Sequence, residues 1–201
     1  MLQATRPDRR VVGLARTLRY VPNREDLFAA HGGGFNAQKR AVDSVGAGEI
    51  LVMEARGEKG TGTIGDILAL RAQVRGAAAI ITDGGVRDFA TVAALDIPTY
   101  YANPHPAVLG RRHIPWDTDV TIACGGTTVQ PGDIIVADSD GILVIPPSLA
   151  EEVADDALAQ EREEEFIAAM VRDGHGVDGL YPMNAAWRAR YEQQDAGAPH
   201  D

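Results

Sequence analysis

Residues 65–88, GDILALRAQVRGAAAIITDGGVRD, govern how the rest of the chain reads. The stretch predicts a helix from about Asp66 to Arg75, then a buried strand over residues 78–82. A glycine turn, Gly84-Gly85, then presents Arg87 and Asp88. A glycine ahead of a helix leaves its first N–H groups open to an anion. Arginine offers a planar fork that matches a carboxylate, and an aspartate beside it suits a hard divalent cation. Twenty residues lie between Asp66 and Arg87, room for one helix and one strand, so the chain returns to the edge it left. In α/β proteins that edge is the usual ligand crevice. Taken singly, Asp66 reads as well as a helix-terminal charge, and Arg87-Asp88 as a surface ion pair or another helix start.

Outward from this corner, the chain alternates strands and helices. Residues 11–21 (VVGLARTLRYV) predict a strand, and Asn23 is expected to cap a helix that His31-Gly32-Gly33-Gly34 breaks. A second short helix spans residues 37–45, followed by a strand at 49–55 and a glycine-rich, charged, mobile loop at 56–62. In the central helix, Ile67, Leu70 and Val74 form an apolar stripe at helical spacing. A short helix at 89–95, a strand at 97–101 and a loop at Asn103-Pro104-His105-Pro106 come next. From Asp119 the pattern is all strand, with Asp138-Ser139-Asp140-Gly141 as a hairpin turn. Ser148 is expected to cap a long helix reaching about Arg172. Its residues Leu149, Val153, Ala157, Ile167 and Val171 share a face, and its charged remainder points to solvent. Residues 181–201 read as a polar arm. The sum is a mixed α/β chain with an antiparallel half, and residues 1–201 read as one domain.

Composition excludes several classes of function. Nineteen basic against 29 acidic residues give a net charge of −10, which opposes nucleic-acid binding. Apolar runs fall short of the roughly 20 residues of a membrane span, and MLQATRPDRR lacks the apolar segment of a signal peptide. Cys124 is the sole cysteine and lies in an apolar strand, so no disulfide forms within the chain and a reducing cytoplasm is expected. His31, His105, His113, His175 and His200 lack metal-ligand spacing. Trp116, Trp187 and Tyr181 are expected at core or subunit contacts.

Four phrases together resemble a known family: VVGLARTLRYVP (11–22), VDSVGAGEILVMEARG (42–57), ITDGGVRD (81–88) and VQPGDIIVADSDGILVIP (129–146). With Asp66 placed ahead of Arg87-Asp88, they resemble the RraA-like proteins, the group that includes 4-hydroxy-4-methyl-2-oxoglutarate aldolase. The resemblance implies a swivelling β/β/α domain, assembled as a homotrimer or as a hexamer of two trimers, with sites between subunits. It implies that Gly65, Asp66, Ile67 and Leu68 meet a pyruvyl substrate through backbone amides and that Arg87 binds the substrate. It further implies that Asp88 ligates Mg²⁺ or Mn²⁺ and that Asp66 holds a metal-bound water, making Arg87 and Asp66 the catalytic pair. The activity implied is metal-dependent cleavage of a small 2-oxo acid to pyruvate, with oxaloacetate decarboxylation through the same enolate. The alternative implied is a non-catalytic protein that regulates a ribonuclease by binding it. Lys39 and Lys59 are the only lysines, few candidates for a Schiff base, and metal chemistry needs none. Relative to the family, the chain starts near the first strand without the usual further N-terminal helix. Thr91 stands where some relatives carry an acid.

Overall fold

The computed structural model describes residues 2–195. In chain order the strands and helices are β1 (Gln3–Ala4), β2 (Val11–Pro22), α1 (Glu25–His31), α2 (Ala37–Ser44), β3 (Glu49–Glu54), β4 (Gly62–Ile64) and α3 (Asp66–Arg75). Next come β5 (Ala79–Thr82), β6 (Gly85–Val86), α4 (Phe89–Ala94), β7 (Thr99–Tyr101), β8 (Asn103–Pro104) and β9 (His113–Thr118). The remainder is β10 (Ile122–Cys124), β11 (Thr127–Val129), β12 (Ile134–Ala137), β13 (Ile142–Ile145), α5 (Ala150–Arg172) and α6 (Ala185–Asp195). The chain divides into two compact units, one ending at Pro147 and the other beginning at Ser148.

The first unit is built on a mixed sheet in the order β1-β7-β5-β3-β2-β12-β13, with β9 also paired to β2. Strands β2, β3, β5 and β7 run parallel, while β1, β9, β12 and β13 join antiparallel. The central parallel strands are apolar along their length because both faces are covered. Leu18, Leu51, Met53 and Ile80 meet Val42, Ala69, Ala72 and Val92 from the helices on one face. Ile50, Val52 and Ile81 meet Ile122, Val129 and Ile135 on the other. Two smaller sheets complete the unit: the hairpin β10-β11 and the parallel triplet β4-β6-β8.

The second unit holds α5 and α6. Phe166, Ile167 and Leu180 are buried, and Trp187 and Tyr191 pack against them. Arg188 pairs with Glu163, tying α6 to α5. The polar arm expected from residue 181 is thus helical over 185–195, because its aromatic residues find Phe166. Trp187 sits in a core contact as expected; Tyr181 is exposed.

Several local expectations are corrected. Asn23 does not cap α1: its backbone N–H bonds Arg112 O at 2.9 Å, and the cap position belongs to Arg24, whose side chain pairs with Asp26 and makes no capping bond. Ser148 lies in a 3₁₀ turn, Pro147–Leu149, so Leu149 takes the cap position and α5 starts at Ala150, one residue later than a Ser148 cap would place it. The loop foreseen at Asn103-Pro104 is a short strand, β8, because β6 offers it a parallel partner. The stripe Ile67, Leu70, Val74 faces outward at 70%, 43% and 68% exposure, while Ala69 and Ala72 are buried. Both sets satisfy helical spacing, and the alanines win because a helix approaches a sheet more closely through small side chains.

Candidate active site

The corner predicted from residues 65–88 forms at the carboxyl ends of β4 and β6. These strands pair in parallel, Gly62 with Gly85 and Ile64 with Val86. The Arg87 N–H donates to Ile64 O at 2.8 Å, which locks the two exits together. The chain leaves β4 through Gly65 into α3, and leaves β6 through Arg87-Asp88 into α4. A Cβ placed on Gly65 would lie 2.8 Å from Asp88 Oδ2 and 3.4 Å from Arg87 Nε. Only a glycine lets the helix start approach both side chains this closely.

Asp88 sits at φ 53°, ψ 41°, the left-handed region that few side chains adopt, and its carboxylate does not cap α4. Its Oδ2 instead accepts a 3.1 Å hydrogen bond from Arg87 Nε. That is the only hydrogen bond of the Arg87 side chain among the described residues, so the guanidinium's terminal nitrogens keep their donors unpaired there. Arg87 and Asp88 side chains are 38% and 39% exposed, open enough to meet a ligand. Asp66 Oδ1 accepts from the Ile67 N–H at 2.8 Å. The charged-helix-end role is therefore also played, and of the four expected backbone contacts the Ile67 amide is already engaged. The first intrahelical bond of α3 is Ala69 N–H to Gly65 O, which leaves the Asp66 and Leu68 amides at the open helix end.

Gly65, Asp66, Ile67, Leu68 and Arg87 line a cleft of about 670 Å³; Asp88 is not among its lining residues and adjoins it through Gly65 and Arg87. The other walls were not foreseen: Phe28 of α1, Gln38 and Lys39 of α2, Thr63 of β4, and residues 108–111. Glycines flanking Phe28 in space, Gly32 and Gly110, were the available sequence signal. Beneath the cleft, Thr63 O accepts from Gln38 Nε2 at 2.7 Å and from Tyr20 Oη at 3.3 Å. Tyr20 is fully buried, which pushes its phenol well above the usual range. His113 stacks on Tyr20 at 5.3 Å and is wholly buried, its Nδ1 3.1 Å from Arg56 Nη2. Burial first, and the Arg56 charge second, lower its pKa to about 4, so the ring is neutral at pH 7. The loop after β3 is pinned where it begins. Asp83 accepts the Ala55 and Gly57 N–H groups at 2.6 and 2.8 Å.

No group of three or more acidic, histidine or cysteine side chains gathers among the described residues. A cation here would depend chiefly on Asp88, whose carboxylate neither caps its helix nor is enclosed. That donor set suits a hard ion such as Mg²⁺, which commonly keeps several waters beside one or two carboxylates. It does not suit zinc, which asks for nitrogen and sulfur ligands. Cys124 is buried and its thiol is pushed up to about 12, chiefly by burial, which keeps it unreactive as expected. Trp116 stacks on His31 at 4.7 Å. No helix among the described residues is long and apolar enough to cross a membrane.

Fold and corner together define an α/β domain with a helix-start, arginine and aspartate site at the strand ends. The chain belongs to the RraA-like family (Aldolase/RraA), whose pattern matches residues 1–144. A protein of Halalkalibacterium halodurans named "Putative 4-hydroxy-4-methyl-2-oxoglutarate aldolase" is 31% identical over 163 residues, covering 81% of this chain and 72% of the relative. Streptomyces coelicolor RraAS2, described as an unusual member of the RNase ES inhibitor RraA protein family, superposes with a TM-score of 0.75. It is 36% identical, over 82% of this chain and 79% of its own. A Pseudomonas syringae pv. tomato protein gives the same TM-score at 27% identity, over 90% of this chain and 82% of its own.

Proposed function

We propose that the chain is a divalent-metal-dependent lyase that cleaves 4-hydroxy-4-methyl-2-oxoglutarate-like 2-oxo acids to pyruvate, and decarboxylates oxaloacetate at the same site. The observation that carries this reading is that Gly65, Asp66 and Arg87 line one cleft, with the Asp88 carboxylate against Gly65 and Arg87, all four leaving two strands that pair in parallel. In such a cleavage the C3–C4 bond breaks and its electron pair moves onto the pyruvyl unit as an enolate. The C4 hydroxyl loses its proton to become the carbonyl of the departing product, and the enolate takes a proton at C3. Arg87 would pair with the substrate carboxylate, its orientation fixed by the Asp88 contact. The open amides of α3 would face the same anion and stabilise charge as it develops. Asp66, at that helix start, would hold a water and move the proton. When bound at Asp88, Mg²⁺ or Mn²⁺ supplies Lewis-acid stabilisation of the enolate charge.

Assembly as a homotrimer or hexamer fits the outward stripe Ile67, Leu70, Val74, which begins at the cleft wall and stays exposed among the described residues. The second reading, a protein that binds and restrains a ribonuclease, is favoured by the similarity to RraAS2. Such a binder has no need of an arginine and an aspartate brought together in a cleft, which weighs toward the enzyme.

The deciding experiment measures pyruvate released from 4-hydroxy-4-methyl-2-oxoglutarate and from oxaloacetate, with Mg²⁺ or with EDTA. Wild type should turn over with metal only, and Asp88→Ala should lose at least about 100-fold, as expected when a preorganised electrostatic contact is removed. Folded, assembled wild-type protein that releases pyruvate from neither would sink the lyase and leave the binder.

A further inference from the structure

Phe28 occupies an unusual position. Its ring lies where two glycines leave room for it: a Cβ on Gly32 would come within 2.5 Å of the ring, and one on Gly110 within 2.6 Å. The helix that carries it, α1, has no buried residue and no side-chain cap. Apart from the Phe28 ring, its aromatic anchor is His31, stacked on Trp116. The Phe28 ring, held in a slot that only glycine permits, is thus one of the few anchors of this helix.

The slot borders the same cleft as the predicted corner. A Cβ on Gly62 would meet Arg87 Cβ at 2.7 Å, and the Gly62 N–H donates to Ala107 O at 2.9 Å. Three residues beyond Ala107 the chain reaches Gly110 and the Phe28 ring, and Phe28 and Arg87 line the same cleft. A molecule held by its carboxylate at Arg87 would share that cleft with the Phe28 ring.

We infer that Phe28 is a specificity-determining residue: clamped between Gly32 and Gly110 in the cleft it shares with Arg87, it limits the size of the substituent on the carbon that departs as the new carbonyl. The inference rests on the pyruvyl-lyase reading. It narrows the substrates to 4-hydroxy-2-oxo acids whose C4 carries a compact group, hydrogen or methyl rather than a ring.

The test compares kcat/KM for 4-hydroxy-2-oxo acids bearing methyl or phenyl at C4, in wild type, Phe28→Ala, Phe28→Leu, Phe28→Trp and Gly110→Ala. The phenyl-to-methyl ratio should rise about tenfold or more in Phe28→Ala, less in Phe28→Leu, and fall in Phe28→Trp. A few methylenes in an apolar pocket discriminate by about that much. Gly110→Ala, which drives the ring from its slot, should change the ratio while leaving the ring chemistry intact. Should Phe28→Ala not fold, judged by circular dichroism, the leucine and tryptophan variants carry the comparison. Ratios within twofold of wild type across folded variants would overturn the inference while the lyase stands. Wild type that releases pyruvate from neither acid nor from oxaloacetate removes the lyase reading first, and this inference with it.

Discussion

Gly65 is the residue on which the corner is most finely balanced. A methyl group there has Asp88 Oδ2 at 2.8 Å and the Arg87 guanidinium just beyond, so one or both must shift. Its backbone is ordinary extended chain, so the fold should tolerate alanine while the site does not. Gly65→Ala is expected to keep its melting temperature within a few degrees and lose pyruvate release by about 100-fold, the usual cost of displacing a catalytic group by about 1 Å. His113 makes a different prediction, one of stability. Its folded pKa of about 4 lies below the ordinary 6.5, so protonation favours the unfolded chain. The contribution is complete above about pH 6.5 and is lost as pH falls toward 4, at most about 3.5 kcal/mol at about 1.4 kcal/mol per pH unit. Urea unfolding at pH 7 and pH 4.5 should show a steep fall for wild type and a shallower one for His113→Gln.

At the scale of elements, α3 serves two surfaces: its alanines meet the sheet and its larger apolar residues look outward. If that stripe is covered by another copy, Ile67→Ser, Leu70→Ser and Val74→Ser together should shift the sedimentation coefficient toward a monomer and leave helicity unchanged. A triple variant that sediments like wild type would remove the stripe from the interface. This helix also marks what the sequence could disclose. Its ends were legible because Gly65 and Gly76 bracket it, Gly76 at φ 88°. Its orientation was not, since two faces carried the same spacing and only the sheet beneath chose between them. The corner residues were legible because helix plus strand is a fixed geometric return. Phe28, Gln38 and residues 108–111 were not, because they reach the cleft from elements whose placement depends on long-range pairing. Asn23 and Ser148 show how local signals fail: each is a good capping residue standing one position before the residue that takes the cap, Arg24 and Leu149.

For the molecule as a whole, a net charge of −10 makes the phosphate backbone an unfavourable partner. Labelled single-stranded RNA at about 150 mM salt, where the Debye length is about 8 Å, should give no mobility shift; a saturable shift would contradict the charge argument. A consequence of another kind follows from β2. One of its edges is shared by β12, against Val11–Leu14, and by β9, against Leu18–Pro22, both more than ninety residues downstream. On the ribosome, the strand at the centre of the finished sheet is among the first made and among the last to be matched. Until residues 134–137 emerge, its leading half presents unpaired amides and carbonyls beside Val12 and Leu14, an edge open to any other strand. Nascent chains halted before β12 should therefore stick to one another, whereas the finished chain closes that edge by its own late-arriving hairpin.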